Sequence, residues 1–187
     1  MLLVATPPAW TAQAIERFDA VLIDHAHCEK KAAAHALSML VAFPQVPGLP
    51  RAMARLAREE AGHLGQVLSL MEKRGLTLGR DAGDPYAQGL QEQVRQPARE
   101  RLLDRLLVSA LIEARSEERL RLLGAALPEA ELRDFYTRLA ESEAGHFRLF
   151  LRLARNSTSV EFQLRLEELL QVEARLIRAL PVRPAIH

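Results

Sequence analysis

Cysteine is almost absent from this chain of 187 residues, which contains only Cys28. A single thiol excludes a disulfide framework within the chain and metal sites built on pairs of cysteines. No uninterrupted apolar run approaches the roughly 18 residues that a membrane-spanning helix needs. The apolar start is broken by Pro7 and Pro8 and has no basic region before it, which makes it a poor signal peptide. We therefore expect a soluble, cytoplasmic protein.

An excess of charge of one sign is also lacking, because the formal net charge is only +1. Whole-chain electrostatics therefore do not indicate a nucleic-acid partner. The basic residues are unusual in kind, since 22 of the 25 are arginines. The planar guanidinium suits phosphate and carboxylate recognition, although a genome that favours arginine codons explains the bias at least as well.

Strand signals are weak, whereas the helix formers leucine, alanine, glutamate and arginine dominate the chain. The length suits a single domain over residues 1–187. Proline and glycine punctuation predicts five helical regions. They run from about Ala9 to Ala42 with a bend near Arg17, from Pro50 to about Arg74 before Gly75, from Pro97 to near Gly124, from Pro128 to about Arg155, and from a capping-box pattern at Thr158–Glu161 to about Leu180.

The tetrapeptide Glu-Ala-Gly-His occurs twice, at positions 60–63 and 143–146. In a helix, residues three apart lie on one face, so each copy directs a carboxylate and an imidazole at the same point. Glu29 precedes the first copy by 31 positions, and Glu113 precedes the second by 30. The chain therefore repeats a helix with Glu followed by a helix with Glu-x-x-His.

This donor set is the one used by ferritin-like di-iron and di-manganese proteins. Two divalent ions neutralise four carboxylates, whereas the same acids buried without metal are costly or take up protons. Carboxylate and imidazole ligands suit iron, manganese or zinc, and we favour two iron ions with manganese as the alternative. The predicted metal ligands are Glu29, Glu60, His63, Glu113, Glu143 and His146.

The predicted fold is therefore all-α, a ferritin-like four-helix bundle with a long crossover and an additional C-terminal helix. Residues 76–96, punctuated by several glycines and by Asp84-Pro85, make the long irregular connection that this topology needs. Loops of this length are often functional covers. The fifth helix mixes leucines with charges, and we expect it to pack on the bundle or on a partner chain.

Neighbouring residues leave alternatives open. We choose Glu60 and Glu143 for their shared spacing, and Glu113 for its match to Glu29. We expect the glycine beside each histidine, Gly62 and Gly145, to mark close helix packing. His25 is a candidate to line the pocket, although an ordinary core position is more common. The acids that compete for the metal face are Glu59, Glu117, Glu118 and Glu141; the residues given ordinary packing or solvated roles are Trp10, His27, Cys28, His35, Tyr136 and His187.

Four segments resemble one family, the tRNA hydroxylases acting on 2-methylthio-isopentenyl-adenosine. They are residues 14–33, 58–63, 111–116 and 141–146, and together with their spacing they extend the resemblance over nearly the whole chain. The Glu and His set alone identifies only the ferritin-like class. The run Asp24-His25-Ala26-His27-Cys28-Glu29-Lys30-Lys31 is far more specific.

The resemblance implies a non-haem di-iron monooxygenase that hydroxylates the isopentenyl side chain of a hypermodified adenosine beside the tRNA anticodon. It implies dioxygen, two electrons from an external donor, and iron held by the six residues named above, with no further catalytic residue. It also implies the tRNA anticodon loop and an electron-transfer reductase as partners, no membrane, and a monomer or small homo-oligomer.

One departure from related oxygenases concerns proton delivery. Oxygenases of small hydrocarbons often carry threonine one turn after the third-helix glutamate, where this chain has Glu117, which either substitutes or pairs with Arg121. Arginines near the third helix are candidates to grip phosphates, although salt-bridged helix faces explain most of them equally well. They are Arg95, Arg99, Arg101, Arg105, Arg115, Arg119 and Arg121, with Tyr86 and Phe135 as candidates for base stacking.

Two other functions fit the same metal ligands. A ferritin-like ferroxidase or storage protein would need a large assembly. A peroxide-consuming protein is the third possibility, although the absence of Cys-x-x-Cys pairs argues against an intact rubrerythrin.

Overall fold

A computed structural model describes residues 2–157 and 161–187, without the side chains of Ala98 and Arg99. Within these residues the chain forms seven α-helices and no strand. The all-helical prediction is confirmed. The helices are α1 Pro8–Glu16, α2 Phe18–Ala42, α3 Leu49–Lys73, α4 Pro85–Gln91, α5 Ala98–Ala126, α6 Ala130–Ser157 and α7 Phe162–Ala179.

Most predicted boundaries are confirmed to within a few residues. The bend near Arg17 is a full break between α1 and α2. Pro50 lies in the first turn of α3, and Gly75 follows that helix with a φ of +69°, a value that favours glycine. The predicted capping box is Thr158–Glu161, and its first three residues lie outside the described residues.

The prediction that residues 76–96 are irregular throughout is wrong, because α4 forms within them. The Asp84 carboxylate accepts a hydrogen bond from the Ala87 N–H at 2.9 Å and caps the helix. Pro85 occupies the first turn, where its missing N–H is not needed. Asp-Pro therefore marks a helix start here rather than only a turn.

The chain divides into two compact units. The α2–α3 unit comprises residues 16–82 and 184–186, and the α5–α6 unit comprises the residues up to 15, 83–183 and 187. The single-domain prediction concerns how both units act together, and it stays a prediction.

Each unit is built around a helical hairpin. Residues 43–48 join α2 to α3, and Gly48 adopts a φ of +79° at the entry to α3. Residues 127–129 join α5 to α6. Connections this short make each pair antiparallel neighbours, and each hairpin carries one of the two Glu and Glu-x-x-His pairs. No described helix combines the length and apolar character that a bilayer crossing requires.

Candidate metal centre

The buried face of α3 is an apolar row interrupted by the first Glu-x-x-His motif. Met53, Leu56, Val67 and Met71 are each at most 1% exposed. They recur at spacings of three, four and eleven residues, and positions 60 and 63 fill the long gap on the same face. Glu60 and His63 are therefore turned into the protein by the helical period itself, at 1% and 9% exposure.

Glu29 of α2 joins these two side chains within the α2–α3 unit. The His63 Nδ1 atom lies 3.3 Å from Glu60 Oε2 and 3.6 Å from Glu29 Oε2. Two ligands of one metal ion with bonds of about 2.1 Å are roughly 3 to 4 Å apart. An imidazole nitrogen and two carboxylates at this spacing, all buried, form a donor set that fits a metal ion.

His25 holds the other oxygen of the same carboxylate. Its Nε2 atom lies 2.7 Å from Glu29 Oε1, and both side chains are nearly inaccessible to solvent. A buried hydrogen bond to a ligating carboxylate fixes the orientation of that carboxylate. From the sequence, His25 is only a candidate to line the pocket. Its spacing of four residues from Glu29 is the pattern that allows this hydrogen bond.

The α5–α6 unit contains the second set. On α6 the buried row Leu139, Glu143, His146 and Phe150 follows spacings of four, three and four residues. The His146 Nδ1 atom lies 3.1 Å from Glu143 Oε2. Glu113 of α5 is 7% exposed, and most of the residues next to it in that helix are also buried. This unit therefore buries the second Glu-x-x-His pair and the second upstream glutamate.

The competing acids have other surroundings. Glu59 lies 3.5 Å from Arg55, with a side chain 36% exposed. Glu117 accepts a hydrogen bond from Arg121 at 3.0 Å, which is the pairing that the i, i+4 spacing allowed. Glu118 binds Thr6 and Arg115, and Glu141 is exposed. Each of these acids is more exposed than the six predicted ligands.

Residues on either side of Glu29 also contact the segment that follows α3. The His27 Nε2 atom lies 3.2 Å from the Leu78 carbonyl oxygen, and Asp81 lies 3.4 Å from Lys31 Nζ. Asp24 accepts hydrogen bonds from the Ile186 N–H at 2.7 Å and from the thiol of Cys28 at 3.6 Å. Residues that flank the predicted ligand Glu29 therefore anchor two chain segments, and Cys28, expected as a buried packing residue, is half-buried.

A buried ionic network follows Glu113 on α5. Arg115 is fully buried, and it donates to Glu173 at 2.5 Å and to the Val4 carbonyl at 2.8 Å. The Tyr86 hydroxyl donates to the same Glu173 oxygen at 3.1 Å. Burial, followed by the charge of Glu173, raises the pKa of Tyr86 well above its usual value. This network, which the sequence reasoning missed, anchors the turn that carries Glu113.

Two of the candidates to grip phosphates, Arg115 and Arg119, are buried, so that expectation is wrong for them. Arg115 is buried in the network above, and Arg119 lies over the Trp10 ring at 5.0 Å. Burial, together with the charge of Arg115, lowers the pKa of Arg119 to about 10. The Arg95 guanidinium donates two hydrogen bonds of 2.8 Å, one to each carboxylate oxygen of Asp104. The side chain of Arg99 lies outside the described residues.

Three smaller predictions also need correction. A Cβ added at Gly62 or Gly145 would meet no described atom within 4 Å, so close packing does not require these glycines. Tyr86 and Phe135 are 2% and 7% exposed, which removes them as platforms for bases. The His187 side chain is only 4% exposed, because it stacks on Tyr86 and bonds Asp84 and Ser116.

A family model described as tRNA-(MS[2]IO[6]A)-hydroxylase (MiaE) matches residues 1–187, the full length of the chain. This protein belongs to the MiaE family. The expected resemblance is thereby confirmed. Two MiaE relatives carry the name tRNA 2-(methylsulfanyl)-N(6)-isopentenyladenosine(37) hydroxylase. The one from Pseudomonas putida is 45% identical over 151 residues, which covers 81% of this chain and 73% of the relative.

The second relative, from Salmonella typhimurium, is 30% identical and covers 92% of this chain and 82% of the relative. Among solved structures, a Synechococcus protein described as having aldehyde deformylating oxygenase activity superposes with a TM-score of 0.94. It is 39% identical, over 100% of this chain and 94% of the other. The ferritin-like helical fold of this MiaE-family chain is thereby confirmed, with an oxygenase as its structural neighbour.

Proposed function

We propose that this protein hydroxylates the isopentenyl side chain of 2-methylthio-isopentenyl-adenosine beside the tRNA anticodon. The full-length match to the MiaE family carries the proposal. The buried Glu and Glu-x-x-His set in each unit supports it, because this family resemblance implies iron chemistry. The storage and peroxide alternatives have no comparable support.

The proposed ligands are Glu29, Glu60, His63, Glu113, Glu143 and His146. Ferritin-like centres take one Glu from each of two helices and a Glu-x-x-His pair from each of two others, and this chain offers that inventory. Buried carboxylates with imidazoles fit iron or manganese. When bound, the two iron ions supply the activation of dioxygen, for which an external reductase provides two electrons.

The protein's own residues have three tasks in this proposal. The six ligands retain the ions, and His25 orients Glu29 through its hydrogen bond of 2.7 Å. The apolar rows of α3 and α6 exclude water around the ligands. In the overall reaction one C–H bond of the substrate becomes C–OH, and the second oxygen atom leaves as water with two added protons.

A substrate assay with labelled dioxygen tests the proposal. Reduced, iron-loaded protein would be mixed with an anticodon stem-loop RNA containing 2-methylthio-isopentenyl-adenosine, and its nucleosides would be analysed by mass spectrometry. We expect one labelled oxygen atom in the isopentenyl group. The same RNA with unmodified adenosine is the control. Absence of a hydroxylated product from iron-loaded, reduced protein would contradict the proposal.

A second activity is favoured by one observation, the 39% identity to the Synechococcus protein over the whole chain. An oxygenase of that kind would remove the formyl group of an aldehyde and would not need RNA. The same iron-loaded protein, given an aldehyde, dioxygen and an external reductant that supplies four electrons and four protons, would then release formic acid, water and the product that lacks the formyl carbon. We expect the RNA substrate to be preferred, and a preference for the aldehyde would replace the proposed function.

The remaining expectations concern partners and location. We propose a soluble cytoplasmic enzyme that acts as a monomer or small homo-oligomer and receives electrons from a separate reductase. Gel filtration tests the assembly, because a large shell would indicate storage of iron instead.

A further inference from the structure

Two rows of exposed arginines stand beside the two Glu-x-x-His motifs, outside the proposed ligand set. In each row the spacing is four residues and then three, so the three arginines lie along one face of a helix. The rows are Arg51, Arg55 and Arg58 on α3, and Arg148, Arg152 and Arg155 on α6.

The α3 row ends two residues before Glu60. No Asp or Glu occurs from position 49 to position 58, so the local charge is positive although the chain is nearly neutral. Arg51 and Arg58 form no ion pair with any residue that the structure describes. Arg55 approaches Glu59 at 3.5 Å, and both side chains stay substantially exposed.

The α6 row begins two residues after His146. Positions 144–157 contain no acid, and none of the three arginines pairs with a described carboxylate. The guanidinium of Arg155 lies over the Phe162 ring, 5.3 Å from its centroid. The two rows therefore share their spacing, their exposure and their position next to a metal-binding motif.

Several other arginines of the chain are neutralised by carboxylates. Arg74 binds Asp19 at 2.7 Å, Arg165 binds Asp104 at 2.9 Å, and Arg121 binds Glu117 at 3.0 Å. Like charges four residues apart on a helix repel each other, so Arg51 with Arg55 and Arg148 with Arg152 are unfavourable alone. A row of exposed guanidiniums, of which only Arg55 pairs with a described carboxylate, is complementary to a chain of phosphates.

The α3 row lies on the same helix as Glu60 and His63 but on its opposite, exposed side, because two residues along a helix correspond to a rotation of about 200°. A helix with its side chains is about 10 to 12 Å across, and Glu60 and His63 are buried while Arg58 is exposed. The exposed surface continues into Gly62 and Gly65, where an added Cβ would meet no described atom within 4 Å. The surface at these two glycines is therefore open to solvent.

We propose that each arginine row binds phosphodiester groups of the RNA substrate. The inference rests on the proposed function and adds a docking surface on each unit. Phosphate contacts of this kind position an RNA without reading its sequence. Affinity then depends strongly on salt concentration, because each neutralised phosphate releases counterions.

Two triple variants test this surface in the full, iron-loaded protein. Arg51, Arg55 and Arg58 are changed to Gln in one, and Arg148, Arg152 and Arg155 in the other. Binding to a fluorescent anticodon stem-loop RNA is measured by anisotropy over a range of salt. For each variant we expect affinity to fall about tenfold or more at low salt, and the salt slope to decrease by roughly 2.

A charge-matched control removes three exposed arginines that lie outside both rows. The variant Arg17→Gln, Arg175→Gln, Arg178→Gln changes the net charge equally, and these arginines also form no ion pair with described residues. We expect its RNA affinity to stay within about twofold of the original protein. Iron content and thermal stability are measured for every variant, so that loss of binding is separated from loss of folding.

Kinetics give a second measure that a merely structural role would not move. For the row variants we expect KM for the RNA to rise, while the hydroxylation rate at saturating RNA stays unchanged. If the original protein hydroxylates RNA but the row variants bind it as well as the control does, the surface is wrong and the proposed function stands. If the original protein neither binds nor hydroxylates RNA, both are wrong.

Anionic lipid is the other polyanionic surface that these rows resemble. Sedimentation with vesicles of phosphatidylglycerol and phosphatidylcholine tests this source. Loss of vesicle binding in the row variants, with RNA affinity retained, would overturn the inference in favour of a membrane surface. We expect the opposite pattern, in which RNA binding alone depends on the rows.

Discussion

Adjacent glutamates in this protein have opposite surroundings. Glu60 is 1% exposed and 3.3 Å from His63, whereas the side chain of Glu59 is 36% exposed and lies beside Arg55. The difference follows from the helical period, because one step along α3 rotates a side chain by about 100°. Substitutions at Glu60 and Glu59 can therefore distinguish the proposed metal binding by Glu60 from a general effect of negative charge on α3.

Changing Glu60 to Gln removes one anionic ligand and keeps the size of the side chain. We expect iron content and hydroxylation to fall at least about tenfold, with helical content unchanged. Metal analysis and the nucleoside assay measure the effect. Glu59→Gln is the matched control, and equal iron loss in both variants would contradict the assignment of Glu60.

His25 allows a separate test of ligand orientation. Because its ring holds Glu29 at 2.7 Å, we expect His25→Ala to lower iron affinity about 10-fold to 100-fold. His25→Gln retains a hydrogen-bond donor and should recover part of the loss. Iron affinity is measured by chelator competition. Equal affinities for His25→Ala and the original protein would show that this contact does not position the ligand.

The space between packed helices differs from place to place, and the distances from a Cβ added at each glycine measure it. At Gly124 of α5, an added Cβ would lie 2.7 Å from Thr137 Oγ1 and 3.1 Å from the Thr137 backbone nitrogen of α6. At Gly62 it would meet no described atom within 4 Å. The predicted close packing beside the histidines is therefore found at a different glycine, where two helices of one hairpin touch.

Alanine substitutions at these two glycines should have opposite signs. We expect Gly62→Ala to raise the free energy of unfolding by about 1 kcal/mol through helix propensity. Gly124→Ala should lower it by about 1–3 kcal/mol, because backbone atoms must move. Denaturant unfolding measures both. A stabilising Gly124→Ala would show that α5 and α6 separate without cost.

Acid stability of the molecule depends on the buried carboxylate of Asp104, which joins three chain segments. It binds Arg95 before α5 and Arg165 of α7. Burial raises the pKa of Asp104, but the hydrogen bonds from these two arginines outweigh it and leave the pKa below its usual value. The unfolded chain therefore takes up this proton first as pH falls, and the stabilisation disappears as pH drops through the lower, folded pKa.

Asp104→Asn tests this linkage. At pH 7 we expect the free energy of unfolding to fall by about 2 kcal/mol, since two charged hydrogen bonds are weakened. Between about pH 5 and pH 2 the variant should lose less further stability than the original protein does. Unfolding curves at several pH values measure both effects, and parallel pH profiles would contradict the proposed role.

Local patterns predicted the helices well, and they predicted the buried faces that carry the candidate ligands, for identifiable reasons. Pro50 and Gly75 delimit α3 through backbone rules that act within a few residues. The doubled Glu-x-x-His motif encodes its own face through a spacing of three. By contrast, the seven arginines near α5 look alike in sequence, and only packing buries Arg115 against Glu173 while leaving Arg121 exposed.

The sequence by itself determined the all-helical class, the family and the candidate ligands, because helical periodicity and residue chemistry are local properties. Tertiary structure decided which charges are neutralised over long separations: Arg115 on Glu173, and Arg165 on Asp104. It also decided which arginines remain exposed beside the motifs. The two ion pairs join residues that are 58 and 61 positions apart in the chain, and no local pattern encodes their approach.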